Sequence, residues 1–158
     1  MEAFYEFYES EFGEVLIASI GSRVCFTHFC KDRELELESL QRRVVADKYI
    51  QRGLPIHRAA LDYIDGKTYI LPNLTILGTP FQRAVLQSLL DIPRGSVVPY
   101  AKIAKIIGRP SAVRAVANAI GSNPLEVLVP CHRVVRSDGS LGGYRSGVEI
   151  KKRILSRE

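Results

Sequence analysis

Tyr100-Ala101-Lys102-Ile103-Ala104-Lys105-Ile106-Ile107-Gly108-Arg109-Pro110-Ser111-Ala112-Val113-Arg114-Ala115-Val116-Ala117-Asn118-Ala119-Ile120-Gly121 decides how the chain folds. Ile103, Ala104 and Ile107 recur on one helical face, predicting a helix over 100–107. Gly108-Arg109-Pro110-Ser111 is a tight connection, with Ser111 placed to cap a second helix over 112–120. In that helix Val113, Val116, Ala117 and Ile120 face inward and Gly121 ends the run. Two short helices around a glycine-containing turn are a helix-turn-helix pattern. Arg114 and Asn118 are i, i+4 neighbours on the outer face. The small Ala112, Ala115 and Ala119 would let that face lie close to a nucleic-acid backbone. Helical hairpins also occur in proteins that never touch DNA, so charge has to decide. Residues 76–158 hold 13 Lys+Arg against 5 Asp+Glu, a net +8, whereas residues 1–75 hold 9 against 12, a net −3. The second half is therefore read as facing a polyanion.

Upstream, Thr79 is placed to cap and Pro80 to start a helix whose apolar face is Phe81, Val85, Leu86, Leu89 and Leu90. Gly78-Thr79-Pro80 reads as a linker where the charge balance changes sign, dividing the chain into an N-terminal lobe, 1–77, and a C-terminal domain, 78–158. In the first lobe, Phe4–Tyr8, Val15–Ile20 and Val24–Phe29 alternate between turns and predict an antiparallel meander. Lys31–Tyr49 includes a surface helix capped at Asp32, and Ile56–Ile64 forms another, ending at Gly66. Tyr69–Leu77 reads as extended chain. The fold class is thus α+β, with a small sheet lobe followed by a mostly helical lobe.

The apolar runs are far short of a membrane span and the acidic start carries no signal pattern, so the expectation is an intracellular, cytoplasmic protein with no membrane partner. Three cysteines are too few and too scattered for a disulfide framework. Cys25, His28 and Cys30, even with His57 added, match no standard zinc spacing, and buried cysteines without a metal are the expectation.

Downstream, Leu125–Val129 delivers Pro130-Cys131-His132-Arg133-Val134; read blandly, the apolar run Val127-Leu128-Val129 into the proline is a buried strand ending in a turn, with an inert, half-buried cysteine. A thiol is a nucleophile as thiolate, and a neighbouring histidine and positive field favour that form. The glycine-rich stretch from Ser137 to Gly147 is suited to line a pocket and lacks the phosphate-cradling Gly-x-x-x-x-Gly-Lys pattern. Val148–Glu158 is a short basic helix carrying Glu158 as its final residue.

Taken together, Pro130-Cys131-His132-Arg133-Val134, Asn123-Pro124, Arg114-Ala115-Val116, Gly78-Thr79-Pro80-Phe81-Gln82, Ile92-Pro93-x-Gly95, Tyr100 with Ile103-Ala104, and Gly142-Gly143-Tyr144 resemble the O6-alkylguanine-DNA alkyltransferases over 78–158. The resemblance implies a ribonuclease H-like first lobe and a winged-helix-like second one. It implies direct reversal of damage in double-stranded DNA. O6-alkylguanine, mainly O6-methylguanine, is flipped out and its alkyl group moves irreversibly to the protein, once per chain and without a cofactor. O4-methylthymine is a further candidate substrate. By resemblance Cys131 is the acceptor, His132 the base acting through a water, Glu158 its orienter, Tyr100 a proton donor to the leaving guanine, and Asn123 the residue holding the active-site turn. Arg114 matches the family's arginine finger, with Ala115 beside it. Gln82, Ala101, Arg109 and Ser137 match DNA-contacting positions, and Pro130, Val129, Val134, Tyr144 and Ser146 match the alkyl pocket. The implied partner is alkylated duplex DNA, bound as a monomer, with clustering along DNA left open.

The chain departs from the family at Leu86 (usually Trp), at Pro99 (usually Ser) and at Ser146, which adds bulk and polarity at the pocket rim and bears on large adducts such as benzyl. Two other classes remain: a module that binds alkylated bases without removing them, against which Cys131 argues, and a thiol hydrolase acting on a small molecule.

Overall fold

A computed structural model describes all residues, Met1–Glu158. The chain forms two compact units, Met1–Leu77 with Pro124–Leu128, and Gly78–Asn123 with Val129–Glu158. No helix is long and apolar enough to cross a membrane.

In the first unit β1 (Glu2–Ser10), β2 (Gly13–Ile20) and β3 (Arg23–Phe29) form the expected antiparallel meander. A fourth strand, β4 (Lys48–Gln51), runs parallel to β1, giving the order β3-β2-β1-β4. The sequence alone places Lys48 and Tyr49 in the charged segment that includes the surface helix. Four residues of mixed polarity carry no period of their own, and pairing with β1 defines the strand. β2 is buried on both faces, which explains its unbroken apolar run Val15-Leu16-Ile17-Ala18. On one face Leu16 and Ala18 pack with Ala3, Cys25 and Phe26 against Leu40 and Val44 at the end of α1 (Arg33–Arg43). α2 (Pro55–Ile64) packs against β1, β2 and β3 through an interior that includes Ala60, Leu61 and Ile64. Burying a Leu or Phe of this kind contributes roughly 1.5–3 kcal/mol. The start of α1 was legible: Asp32 accepts from Leu35 N at 3.1 Å, with Glu34 and Glu36 in the first turn and Arg42 and Arg43 in the last.

Cys25, Cys30 and His57 are placed as follows. Cys25 is buried, its thiol directed to the Ala18 carbonyl at 3.6 Å and pushed up to about 12 by desolvation. Cys30 is half-buried and pushed up to about 11, chiefly by burial and then by Glu14 and Glu36. His57 is fully buried between Ser19 Oγ (2.9 Å from Nε2) and the N-terminus of its own helix, where Leu54 N donates to Nδ1 at 3.3 Å.

The second unit contains α3 (Pro80–Leu89), α4 (Tyr100–Ile106), α5 (Val113–Gly121) and α6 (Val148–Ser156). α3 begins with a capping box: Gln82 N donates to Thr79 Oγ1 at 3.1 Å and Thr79 N to Gln82 Oε1 at 2.9 Å. Leu86, standing where the family usually has Trp, is wholly buried beside Val85 and Leu89. α3 packs on α4 and α5, which form the helix-turn-helix. α5 starts one residue later than expected: its N-cap is Ala112, which makes no side-chain cap, and Ser111 lies in the preceding turn. The amide of Ala112 is already used in that turn, donating to Arg109 O at 3.0 Å. Ala119, expected on the outer face, is buried with Val116 and Ile120; Arg114, Ala115 and Asn118 are exposed.

Leu125–Val129, which includes the run Val127-Leu128-Val129 that reads as a strand, is buried but is not a strand. It makes one isolated bridge, Leu125 to Thr27, and then turns through Val127, whose φ of 71° is the only positive value outside glycine. A β-branched residue in the left-handed region costs about 1–3 kcal/mol, so the turn is imposed by its surroundings rather than by local preference.

Burial lowers the His57 pKa from 6.5 to about 4, with Glu6 and a Phe4 backbone contact opposing. The unfolded chain therefore takes up a proton below pH 6.5 that the folded chain refuses until about 4. Stability contributed by neutral His57 is full above pH 6.5 and lost progressively toward pH 4. Urea unfolding across that range should show a declining midpoint, with a shallower decline in His57→Gln.

Candidate active site

Three short segments of the second unit build the site, and the backbone positions each of them. β5 (Val98–Pro99) and β6 (Val134–Val135) form a two-residue parallel ladder, pairing Val98 with Val134 and Pro99 with Val135. Tyr100 follows Pro99 directly, and Cys131–Arg133 immediately precedes Val134. The ladder therefore fixes the tyrosine relative to the cysteine turn. Cys131–Arg133 is a single 3₁₀ turn, so the face-to-face alternation of an extended chain does not apply to Cys131 and His132. The turn is closed by Arg133 N donating to Pro130 O at 3.0 Å.

Asn123 ties that turn to the helix-turn-helix. It is buried just beyond α5, its amide donating to Ile120 O at 3.1 Å. Its side-chain Nδ2 donates to Val129 O at 3.0 Å, and the same carbonyl accepts from Cys131 N at 2.7 Å. One oxygen thus serves both the Cys131 amide and the side chain of Asn123, two residues beyond the end of α5.

His132 is fully buried, and its Nε2 lies 2.9 Å from Glu158 Oε2. Its other nitrogen, Nδ1, is buried and makes no hydrogen bond. Desolvation, the largest influence, lowers the His132 pKa below 6.5, while the hydrogen bond and charge of Glu158 act upward and Arg133 and Lys151 act downward. The neutral ring then donates Nε2–H to the carboxylate and keeps a lone pair on Nδ1.

The carboxylate is held by a second partner that sequence reading missed. Arg133 donates from Nε to Glu158 Oε1 at 2.9 Å and from Nη2 to Oε2 at 2.8 Å, a bidentate fork, while Nη1 donates to Ile92 O at 2.8 Å. Both side chains are under one-tenth exposed, Arg133 at 7% and Glu158 at 5%. Burial alone would raise the Glu158 pKa; the hydrogen bonds and charges of His132 and Arg133 reverse that and hold it at about 2. A basic residue beside a cysteine suggested only a positive field, although an arginine that far from solvent almost always has a carboxylate partner.

Tyr100 is half-buried, and desolvation raises its phenol above 10, with the charge of Cys131 acting the same way and Arg136 opposing. It is protonated at neutral pH. Against it lies Gly142 (φ +74°), where a Cβ would stand 3.1 Å from the phenol oxygen and 3.3 Å from its ring. A side chain there would press on the tyrosine, which would have to give by a few tenths of an ångström. The loop around Gly142 is tied down by Lys151, fully buried on α6, whose ammonium donates to Val134 O at 2.8 Å, to Gly143 O at 3.3 Å and to Leu141 O.

The remaining candidates are placed as follows. Cys131, Pro130, Val129 and Val134 are buried, the two valines completely. Ser146, expected at a rim, is buried, and Tyr144 is half-buried. Arg114 and Ala115 are exposed on α5, Ala101 is half-buried in the first turn of α4, and Ser137 is exposed just after β6. Arg109 stacks its guanidinium over Phe81 at 5.5 Å. Gln82 is half-buried, with Oε1 engaged in the α3 capping box. The structure brings Cys131, His132, Glu158, Tyr100 and Asn123 into one linked cluster; no hydrogen bond connects Gln82, Arg109 or Ser137 to it.

A helix-turn-helix unit with a buried thiol beside a histidine–carboxylate pair is the class that fold and site define. Residues 80–158 match the family model described as 6-O-methylguanine DNA methyltransferase, DNA binding domain. The chain is 32% identical over 157 residues to a Haemophilus influenzae methylated-DNA–protein-cysteine methyltransferase, covering 98% of this chain and 86% of that one. It is 39% identical over 160 residues to the Escherichia coli (strain K12) bifunctional transcriptional activator/DNA repair enzyme Ada, covering 98% of this chain and 45% of that protein. Among solved structures it superposes on Mycobacterium tuberculosis OGT in complex with DNA with a TM-score of 0.81, at 30% identity, over 97% of this chain and 91% of that one. The chain belongs to the O6-methylguanine DNA methyltransferase family. It spans about half the length of several relatives it matches, 45% of Ada and 58% of the Salmonella typhimurium methyltransferase.

Removing one partner of a buried ion pair strands the other, at a cost of about 3–5 kcal/mol. Arg133→Met should therefore destabilise the chain by about that much in denaturant melts. Because the Glu158 pKa is depressed from 4.5 to about 2, the stability it confers is full above pH 4.5 and lost as pH falls toward 2. Glu158→Gln should flatten that part of the acid-unfolding profile.

Proposed function

We propose that this chain repairs alkylated duplex DNA by moving the alkyl group of O6-alkylguanine, mainly O6-methylguanine, onto Cys131, acting once and without a cofactor. The observation that carries the reading is the hydrogen bond between His132 Nε2 and the Glu158 carboxylate, two residues that join a buried Cys131 to a nucleophile–base–orienter chain. Within the chain, the DNA-directed chemistry belongs to residues 78–158, with residues 1–77 as the supporting lobe.

The thiol proton passes through a water to the free Nδ1 of neutral His132, and Glu158 stabilises the imidazolium that forms. Cys131 Sγ then attacks the alkyl carbon opposite O6. The S–C bond forms as the C–O6 bond breaks, and the bonding pair leaves with guanine. Tyr100, protonated at neutral pH, donates to the departing base; in net terms the thiol's proton ends on guanine. The thioether has no route back, so the chain is consumed.

A duplex hides O6 from a buried sulfur, so the nucleotide must leave the stack, at a cost of a few kcal/mol. Exposed Arg114 takes the vacated space, and exposed Ala115 allows close approach. Gln82, Ala101, Arg109 and Ser137 are assigned to phosphate or groove contacts, consistent with the positive second half and with salt-sensitive binding. Pro130, Val129, Val134, Tyr144 and Ser146 border the alkyl group. With Ser146 buried, an added side chain occupies interior space that a glycine would leave open, which favours methyl over bulky adducts. The activity places the protein with DNA inside the cell.

The test uses excess duplex carrying labelled O6-methylguanine. At most one equivalent of label should move to protein, all of it on Cys131, with none in Cys131→Ala. Continued turnover, or label on another residue, would overturn the reading. Tyr100→Phe should slow transfer by about a hundredfold or more, the scale of a lost proton donor, and Arg114→Ala should slow transfer on duplex but not on single-stranded substrate, since only a duplex leaves a vacated space to fill.

A further inference from the structure

We propose that Arg94 is a positioning residue for Glu158, clasping the backbone just before it so that the carboxylate stays on His132. This rests on the His132–Glu158 pair serving the Cys131 thiol as read above. Every residue concerned lies in the second unit.

The clasp is the turn that follows α3. Ile92 is buried and donates its amide to Leu89 O at 3.0 Å, so the turn is mounted on the last residue of that helix. Ser96 N donates to Pro93 O at 3.1 Å and Gly95 takes a φ of 85°, which together put Arg94 at the corner of a tight turn. Facing it is the end of α6. Arg157 N donates to Ile154 O and Glu158 N to Leu155 O, each at 3.1 Å, tightening the last turn of that helix. The final carbonyls of a helix have no partner within it. Arg94 supplies one: its Nη2 donates to Arg157 O at 2.9 Å, and a cation suits the negative end of the helix dipole. A Cβ on Gly95 would stand 3.6 Å from Glu158 O, so the turn lies against the next carbonyl as well.

The same turn holds the other half of the ion pair. Ile92 O accepts from Arg133 Nη1 at 2.8 Å, while Nε and Nη2 of that guanidinium fork onto Glu158. Guanidinium and carboxylate are therefore both referred to the turn, the one through its side chain and the other through its backbone. Arg133 restrains only the carboxylate, which sits on a flexible side chain and would be drawn off His132 by a fraying backbone. Arg94 restrains that backbone. It does so from the surface, where it is exposed and touches neither the thiol nor the imidazole.

The experiment compares Arg94→Met, which removes the donor, with Arg94→Lys, which keeps one. Single-turnover methyl transfer from O6-methylguanine duplex is measured, separating the rate at saturating DNA from the half-saturating concentration. In the same proteins the Glu158 side-chain carboxyl resonance, assigned by its absence in Glu158→Gln, is followed by carbon NMR from neutral pH down to the ordinary carboxylate range. Arg94→Met should lower the saturated rate by about tenfold, since small displacements of reacting groups are costly. Its half-saturating DNA concentration should stay unchanged. Its carboxyl resonance should move as pH falls to 4.5, because a loosened Glu158 returns toward that value from about 2, while the parent's stays still. Arg94→Lys should keep the still resonance and a rate within about twofold of the parent on the same ground. A parent-like rate or an unmoved resonance in Arg94→Met overturns the proposal, as does equal slowing in Arg94→Lys. A change confined to the half-saturating concentration also overturns it, making Arg94 a phosphate contact instead. Where Arg94→Met does not fold, Arg94→Gln takes its place. If the parent itself takes no methyl from DNA, the function above fails, and the resonance alone judges the clasp: movement in Arg94→Met with recovery in Arg94→Lys supports it, and no movement sinks it.

Discussion

One buried carboxylate organises the second unit. Glu158 is held by Arg133 through both oxygens and by His132 through one of them, and Arg133 also reaches the Ile92 carbonyl. The fork ties the end of the C-terminal helix, the cysteine turn and the chain between α3 and α4 to a single charge. A carboxylate with His132 alone would be inclined to share a proton with it. Bracing by a permanently charged guanidinium keeps the negative charge on Glu158 and the proton on His132 Nε2, which leaves Nδ1 as the ring's basic position. The ion pair thereby also sets the histidine's tautomer.

Around that charge the backbone does most of the placing. A two-residue parallel ladder sets Tyr100 beside the cysteine turn, and the Val129 carbonyl joins Asn123 to Cys131. Asn123, Val129 and Val134 are buried, so their polar groups bond to one another and to the neighbouring backbone in place of water. α5 is linked to Cys131 through Asn123, so the orientation of the outer helix and that of the thiol are not independent.

Much of this was legible in the sequence, and the reason differs by element. Helix starts at Asp32 and Thr79 announced themselves because their caps are local chemistry, and α3, α4 and α5 because their apolar spacing is regular. β4 was invisible, since it is defined by pairing with β1 and not by its own pattern. The burial of Leu125–Val129 was readable from composition, but its turn at Val127 was not, because a valine gives no sign of a left-handed backbone. Ser111 was mistaken for a cap because residue type suggested it, while the turn's own hydrogen bond displaced the helix start by a residue. At the site, Cys131 beside His132 stood out by adjacency. Glu158 came only from family resemblance, and Arg133 as its brace required the three-dimensional arrangement.

Lys151 adds a different lesson. Its ammonium sits within reach of three backbone carbonyls, from Val134, Leu141 and Gly143, an oxygen cage of the kind that in other proteins encloses a metal cation. Here the cation is tethered by a side chain from α6. A tethered cation cannot diffuse away, be chelated or be exchanged for one of another radius, so the closure of the glycine loop against Tyr100 is independent of the ions in the surrounding solution.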